Sequence, residues 1–226
     1  MGFEKGRPIA GSPFGFLGGK PLFLQEAIMI LLENVSDETK RERSIPVLAT
    51  GRLTLRAPRH EDVKALAHLA NDRRIAVNTA RIPHPYGVAD AKQFIAAVNR
   101  RDGEAAFAIT LGGAVIGVCG IDPREDGVEL GYWLGVDYWG RGFATEAVRA
   151  VIDYAFGELE HDTLVAGARV SNPASRRVLE KCAFQWTGVR LTRIRAINSA
   201  APVDRFRLDR KLWGSLKRWA PVRRVA

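Results

Sequence analysis

"LGYWLGVDYWGRGFATEAV" occupies residues 130–148. It begins as an apolar strand and passes two glycines separated by an arginine. It then takes up a helical rhythm, with Val148, Val151, Ile152 and Ala155 at i, i+3, i+4 and i+7. A strand feeding a helix through Gly140 and Gly142 leaves backbone N–H groups bare to a ligand. The helix start adds its positive end at the same place, and Arg141 adds a full charge. These are the requirements of a phosphate cradle, and a diphosphate suits it.

The flanking sequence extends the same architecture. Downstream, "TLVAGARV" (163–170) reads as a buried strand. "NPASRRVLEKC" (172–182) reads as a helix with Asn172 as N-cap and Pro173 at the first helical position. "AFQWTGVRLTRIR" (183–195) and "DRFRLDRKLW" (204–213) read as closing strands. Upstream, "RLTLRAP" (52–58) alternates like a half-buried strand, and helices follow in "HEDVKALAHLAND" (60–72) and "VADAKQFIAAVNRR" (88–101). "AAFAIT" and "AVIGVCGID" around Gly112-Gly113 form a hairpin signal, and Asp126-Gly127 turns into a strand over 127–136. The order predicts an α/β fold, with a mixed, mainly antiparallel sheet flanked by helices.

The chain has 226 residues, 46% hydrophobic and 26% charged, as in an ordinary globular protein. Its net charge of +9 is concentrated at one end, because Trp186–Ala226 holds 11 Lys+Arg against 2 Asp+Glu. Such an end either solubilises or meets an acidic partner such as a ribosome. Two cysteines, Cys119 and Cys182, are too few for a disulfide framework and imply a reducing, cytoplasmic setting. The four histidines have no metal-ligand spacing, so no metal is expected. Residues 1–45 read as a partly disordered extension, 46–213 as the compact domain and 214–226 as a basic tail. "GFLGGKP" in the extension is not a phosphate loop, since Phe14 and Pro21 stand where glycine and Ser or Thr are needed. "LFLQEAIMILL" (22–32) is too short to span a bilayer and lacks a signal-peptide cleavage site, so no membrane association is expected. Met29 is a candidate for the natural start, to be tested by the intact mass of the native protein.

"LGYWLGVDYWGRGFATEAV" followed by "NPASRRVLEKCAF" (172–184) resembles the GNAT acetyltransferase superfamily, and in particular its ribosomal-protein-alanine N-acetyltransferase branch. The family motif Gln/Arg-x-x-Gly-x-Gly/Ala falls on 139–144, with Gly142 and Ala144 matching and Trp139 in place of Gln or Arg. The resemblance covers residues 46–213. It implies acetyl-CoA as co-substrate and no metal. The N–H groups of Gly140, Arg141, Gly142, Phe143, Ala144 and Thr145 are expected to hold the pyrophosphate. The strand end at Leu134, Gly135 and Val136 is expected to splay from its neighbour and pair with the pantetheine arm. Asn172 is expected to contact pantetheine, cap its helix, or both.

The implied reaction is attack of an amine on a thioester, which needs a proton acceptor for the amine. Glu129 is the candidate base, directly or through water; its alternative is an ion pair with an arginine, or solvent. Ser175 is the candidate donor to the departing thiolate, with helix capping as its alternative. The family's usual tyrosine position holds Leu179, and the glutamate often found five residues before the helix-capping Asn is replaced by Gly167. Tyr132 and its aromatic neighbours either wall the acceptor channel or join the core. His84 and Tyr86 lie in the loop where the family forms its acceptor site. The resemblance favours a protein N-terminal amine, such as a ribosomal protein's, as acceptor. The alternatives are a small amine (polyamine, amino sugar or antibiotic) and a non-catalytic CoA-binding module. The protein is expected to be a monomer or homodimer.

Overall fold

The computed structural model describes residues 45–100, 105–124 and 127–219. The expectations for residues 1–44, the Asp126 turn position and the last residues of the tail lie outside the described residues. Strands β1 (Leu48–Ala49) and β2 (Leu53–Arg56) lead to helices α1 (Val63–Ala70), α2 (Arg73–Ala76) and α3 (Val88–Arg100). Strands β3 (Ala105–Leu111), β4 (Ala114–Arg124) and β5 (Gly127–Leu134) precede helix α4 (Phe143–Gly157). The chain closes with β6 (Thr163–Arg169), α5 (Pro173–Lys181), β7 (Gln185–Ile194), β8 (Ser199–Asp209) and α6 (Arg210–Trp219). The eight strands form one sheet in the order β1-β2-β3-β4-β5-β6-β8-β7.

Alternation sorts the side chains of this sheet into two cores. Leu130, Tyr132 and Leu134 of β5 face α4 and α5, whose buried stripes include Val148, Val151, Ile152 and Leu179. Trp133 faces the other way, toward α1 and α3, where Val63, Leu66, Ile95 and Val98 pack over Ala106 and Val118. The helical spacing read from the sequence is thus the buried stripe in each case.

Among the described residues, β5 with β6 is the one parallel pair of the sheet. These strands match at Val128↔Leu164, Glu129↔Val165 and Leu130↔Ala166. Beyond that they part, although β5 runs to Leu134 and β6 to Arg169. A notch opens between them.

Two expected elements differ. The strand from Gly127 stops at Leu134, and Val136–Tyr138 forms a 3₁₀ turn instead. Residues 204–213 are not strand throughout: β8 ends at Asp209 and α6 runs through position 213. Phe206 and Leu208 alternate with Arg205 and Arg207, but Asp209, Arg210 and Lys211 are charged in succession. Leu212 and Trp213 then follow as adjacent apolar residues. A strand would send them to opposite faces, whereas a helix lets both pack on one core. The Trp213 indole also donates to Asp153 Oδ1 at 2.7 Å.

Candidate active site

Gly140 and Gly142 carry φ of 73° and 79°, a left-handed backbone that glycine adopts without a Cβ penalty. The first intrahelical bond of α4 runs from Glu146 N–H to Gly142 O at 3.1 Å. No side chain caps this helix among the described residues. The amides of Phe143, Ala144 and Thr145 therefore have no partner within the helix. A Cβ built on Gly140 would meet nothing within 4 Å, so the turn faces open space. Bare amides, a helix start and that space fit a diphosphate.

The turn is held from behind by the β1–β2 turn, a contact that no local pattern announces. Arg52 Nε donates to Glu146 Oε2 at 2.7 Å, and its NH1 donates to Arg141 O at 3.0 Å. Its guanidinium lies 4.5 Å from the Phe143 ring centroid, and Arg141 stacks on the same ring at 4.9 Å. Thr50 Oγ1 donates to Glu146 Oε1 at 2.7 Å. Burial pushes the Glu146 carboxyl up, but the hydrogen bonds from Thr50 and Arg52 outweigh it and hold the group below its usual range. Beside the turn, a groove of about 1060 Å³ runs along α4, with Arg52, Gly142, Thr145, Arg149 and Lys181 among its walls.

At the notch, Gly135 N–H is already engaged by Ile116 O at 2.8 Å. By ladder alternation the backbone groups of Tyr132 and Leu134 then face β6, where the strands part. Trp139 Nε1 donates to Leu134 O at 2.8 Å. This motif position thus clamps the strand end to the glycine turn. Asn172 caps α5, its Oδ1 accepting from Ser175 N–H at 3.1 Å. The Tyr132 hydroxyl lies 2.9 Å from Ser175 Oγ and 3.1 Å from Ser175 O. Burial pushes the Tyr132 phenol well up, so it stays protonated. Tyr132 is therefore on the α4–α5 side of the sheet and does not line the side that carries Glu129. Leu179 is fully buried in the core.

Glu129 lies on the opposite, α1–α3, side by alternation. Its Oε1 accepts from Arg205 NH1 at 2.7 Å, and its Oε2 is 3.5 Å from Arg124 Nε. Asp122, its register partner on β4, pairs with Arg124 and with Arg81 NH2, the latter at 2.7 Å. The loop over this face is tied down by long-range contacts. Arg169 NH1 donates to Val77 O at 2.8 Å, and Arg195 N–H donates to Ala80 O at 3.1 Å. His84 is exposed. Tyr86 is half-buried against the α1–α3 core, its phenol pushed up to about 12 by burial and its N–H donating to Asn71 Oδ1 at 2.8 Å. The structure thus joins Tyr132, Asn172 and Ser175 on one side of the notch and sets Glu129 on the other. Arg52, Glu146 and Arg205 enter only through the fold.

A turn that fits a diphosphate thus lies beside two parting parallel strands, with a carboxylate on one face of the sheet and a hydroxyl on the other. Residues 52–185 match the acetyltransferase (GNAT) domain family, and the chain belongs to it: it is an acetyltransferase. An uncharacterized N-acetyltransferase of Bacillus licheniformis, p20, is 35% identical over 150 residues, covering 63% of this chain and 84% of the relative. The structure of Mycobacterium smegmatis RimJ in complex with CoA-disulfide aligns with a TM-score of 0.67 at 18% identity, over 74% of this chain and 89% of that one. RimL, a ribosomal L7/L12 alpha-N-protein acetyltransferase solved with coenzyme A, aligns with a TM-score of 0.64 at 17% identity, over 73% and 98%.

Proposed function

We propose that this acetyltransferase acts on the N-terminal amine of a protein. The observation that carries this reading is the form of the acceptor side. It is an open shelf of strand residues, with Thr187, Arg190 and Arg207 exposed along it, which an extended chain end can reach. The cavity on that shelf, about 370 Å³, also suits a small amine, and this is the second reading.

Acetyl-CoA supplies the activated acetyl group. The amides of Gly140–Thr145 bind its pyrophosphate, and the notch edge of Tyr132 and Leu134 takes the pantetheine arm. Glu129 accepts a hydrogen bond from the incoming amine and takes its proton, directly or through water. Backbone N–H groups at the notch steady the developing oxyanion. The Ser175 hydroxyl, positioned by Asn172 and Tyr132, donates to the departing sulfur. The reading places the protein in the cytoplasm, with the basic end of the chain available to a ribosome.

CoA release measured across N-terminal peptides, polyamines and amino sugars tests this. Turnover with Ala- or Ser-start peptides alone is expected; turnover confined to small amines replaces this reading with the second. Glu129→Gln is expected to keep acetyl-CoA binding and lose turnover, since the carboxylate lies on the acceptor side only.

A further inference from the structure

We propose that the acceptor carries a carboxylate near its amine, and that Arg190, Arg205 and Arg207 form the subsite that receives it. In a peptide this is an Asp or Glu within the first few residues. The inference rests on the N-terminal acetyltransferase reading and specifies its substrate class.

The first observation is the lining of the cavity on the Glu129 side of β6, β8 and β7. Arg190, Arg205 and Arg207 line it together with Val165 and Gly188, and among the described residues no carboxylate does. Glu129 and Asp209 pair with Arg205 and Arg207 from beside the cavity, so its lining itself carries guanidinium groups and no acid. The planar guanidinium fork is the side chain that best matches a carboxylate.

The second observation concerns Gly167. In the resembling family a glutamate often stands here, on the strand beside the notch. In this chain a Cβ at Gly167 would lie 3.1 Å from Arg205 NH1 and 3.0 Å from Val203 Cγ1. Arg205, the register partner of Gly167, reaches over the bare backbone to Glu129. A guanidinium thus occupies the room that a side chain at 167 needs, and it carries a positive charge to the edge of the cavity.

The third observation is the shape of the shelf. The β7–β8 register shifts between Trp186 and Gly188, where Gly188 has φ 146° and a Cβ would meet nothing within 4 Å. The irregularity leaves the cavity open beside Arg190. Arg207 is steadied by Asp209 Oδ1 at 2.7 Å, and Arg205 by Glu129, so both forks are oriented before a ligand arrives.

The test uses the full chain and peptides that share one N-terminal residue and differ at the second and third positions, with Asp, Asn or Lys. Peptides with Asp are expected to show kcat/KM roughly tenfold or more above their Asn counterparts, the scale of one charged hydrogen bond, and Lys peptides to fall below both. In Arg190→Gln the Asp-to-Asn ratio is expected to fall toward one, and thermal unfolding checks that the variant is folded. Equal rates with Asp and Asn peptides, or a preference for Lys, overturn the inference and leave the N-terminal reading standing. Free aspartate turned over better than any peptide supports the anionic subsite but overturns the protein acceptor. No turnover with any peptide or with aspartate overturns both.

Discussion

At the scale of single residues, the site depends on what is missing at Gly142 and what is present at Glu146. Gly142 has φ 79°, and a Cβ there would come within 3.5 Å of Arg52 NH2. Gly142→Val is expected to raise the Kd for acetyl-CoA about tenfold to a hundredfold, by blocking charged hydrogen bonds to phosphate. It also costs roughly 1–2 kcal/mol of stability, because a branched side chain is forced into a left-handed backbone. Calorimetric titration and denaturant unfolding read the two effects separately. Glu146 behaves differently. Its folded pKa lies below its ordinary value of 4.5, so the stability it contributes is fully present above pH 4.5 and is lost as pH falls through the folded value. Thermal melts are expected to drop on acidification below that point. Glu146→Gln, which lacks the charge throughout, is expected to be less stable at neutral pH and less sensitive to acid. An unchanged acid profile in the variant would show that the Arg52–Glu146 contact does not stabilise the fold.

At the scale of elements, helices and their buried faces were legible because period 3.6 is a local property. Val63, Leu66 and Ala70 on α1, and Val148, Val151 and Ile152 on α4, are buried as their spacing predicts. The Asn172-Pro173 start of α5 was equally readable, since a cap needs only its own first turn. The element misread in type was α6, where a strand assignment crossed a change of pattern at Asp209. Its consequence is measurable. Trp213 is only 9% exposed and anchors α6 on the α4–α5 core. Trp213→Ala is expected to cost about 3–5 kcal/mol in equilibrium unfolding, as for other buried aromatic deletions. A solvated tail would show almost no change. The short helix α2, capped by Asp72 Oδ1 at 2.8 Å from Arg74 N–H, escaped notice because four residues carry too little periodicity.

At the scale of the whole molecule, the notch, the buttressed turn and the arginine shelf couple ligand binding to the stability of the sheet. Acetyl-CoA at a hundred times its Kd stabilises the folded state by about 2.7 kcal/mol. For a chain of this size that is expected to raise Tm by roughly 5–10 °C, read by scanning calorimetry, and the rise should shrink to roughly 1–5 °C in Gly142→Val at the same ligand concentration. The sequence by itself determined the α/β class, the glycine turn before α4 and the capped start of α5, because turns, caps and helical faces are set by residues within one or two turns of each other. Only the tertiary structure decided that Arg52 braces the turn from just before β2, that Tyr132 meets Ser175 across the core side of the sheet, and that Arg205 reaches over Gly167 to Glu129. Those contacts join strands and helices far apart in the chain. Their partners are chosen by strand order and register, which the pattern along a single strand does not encode.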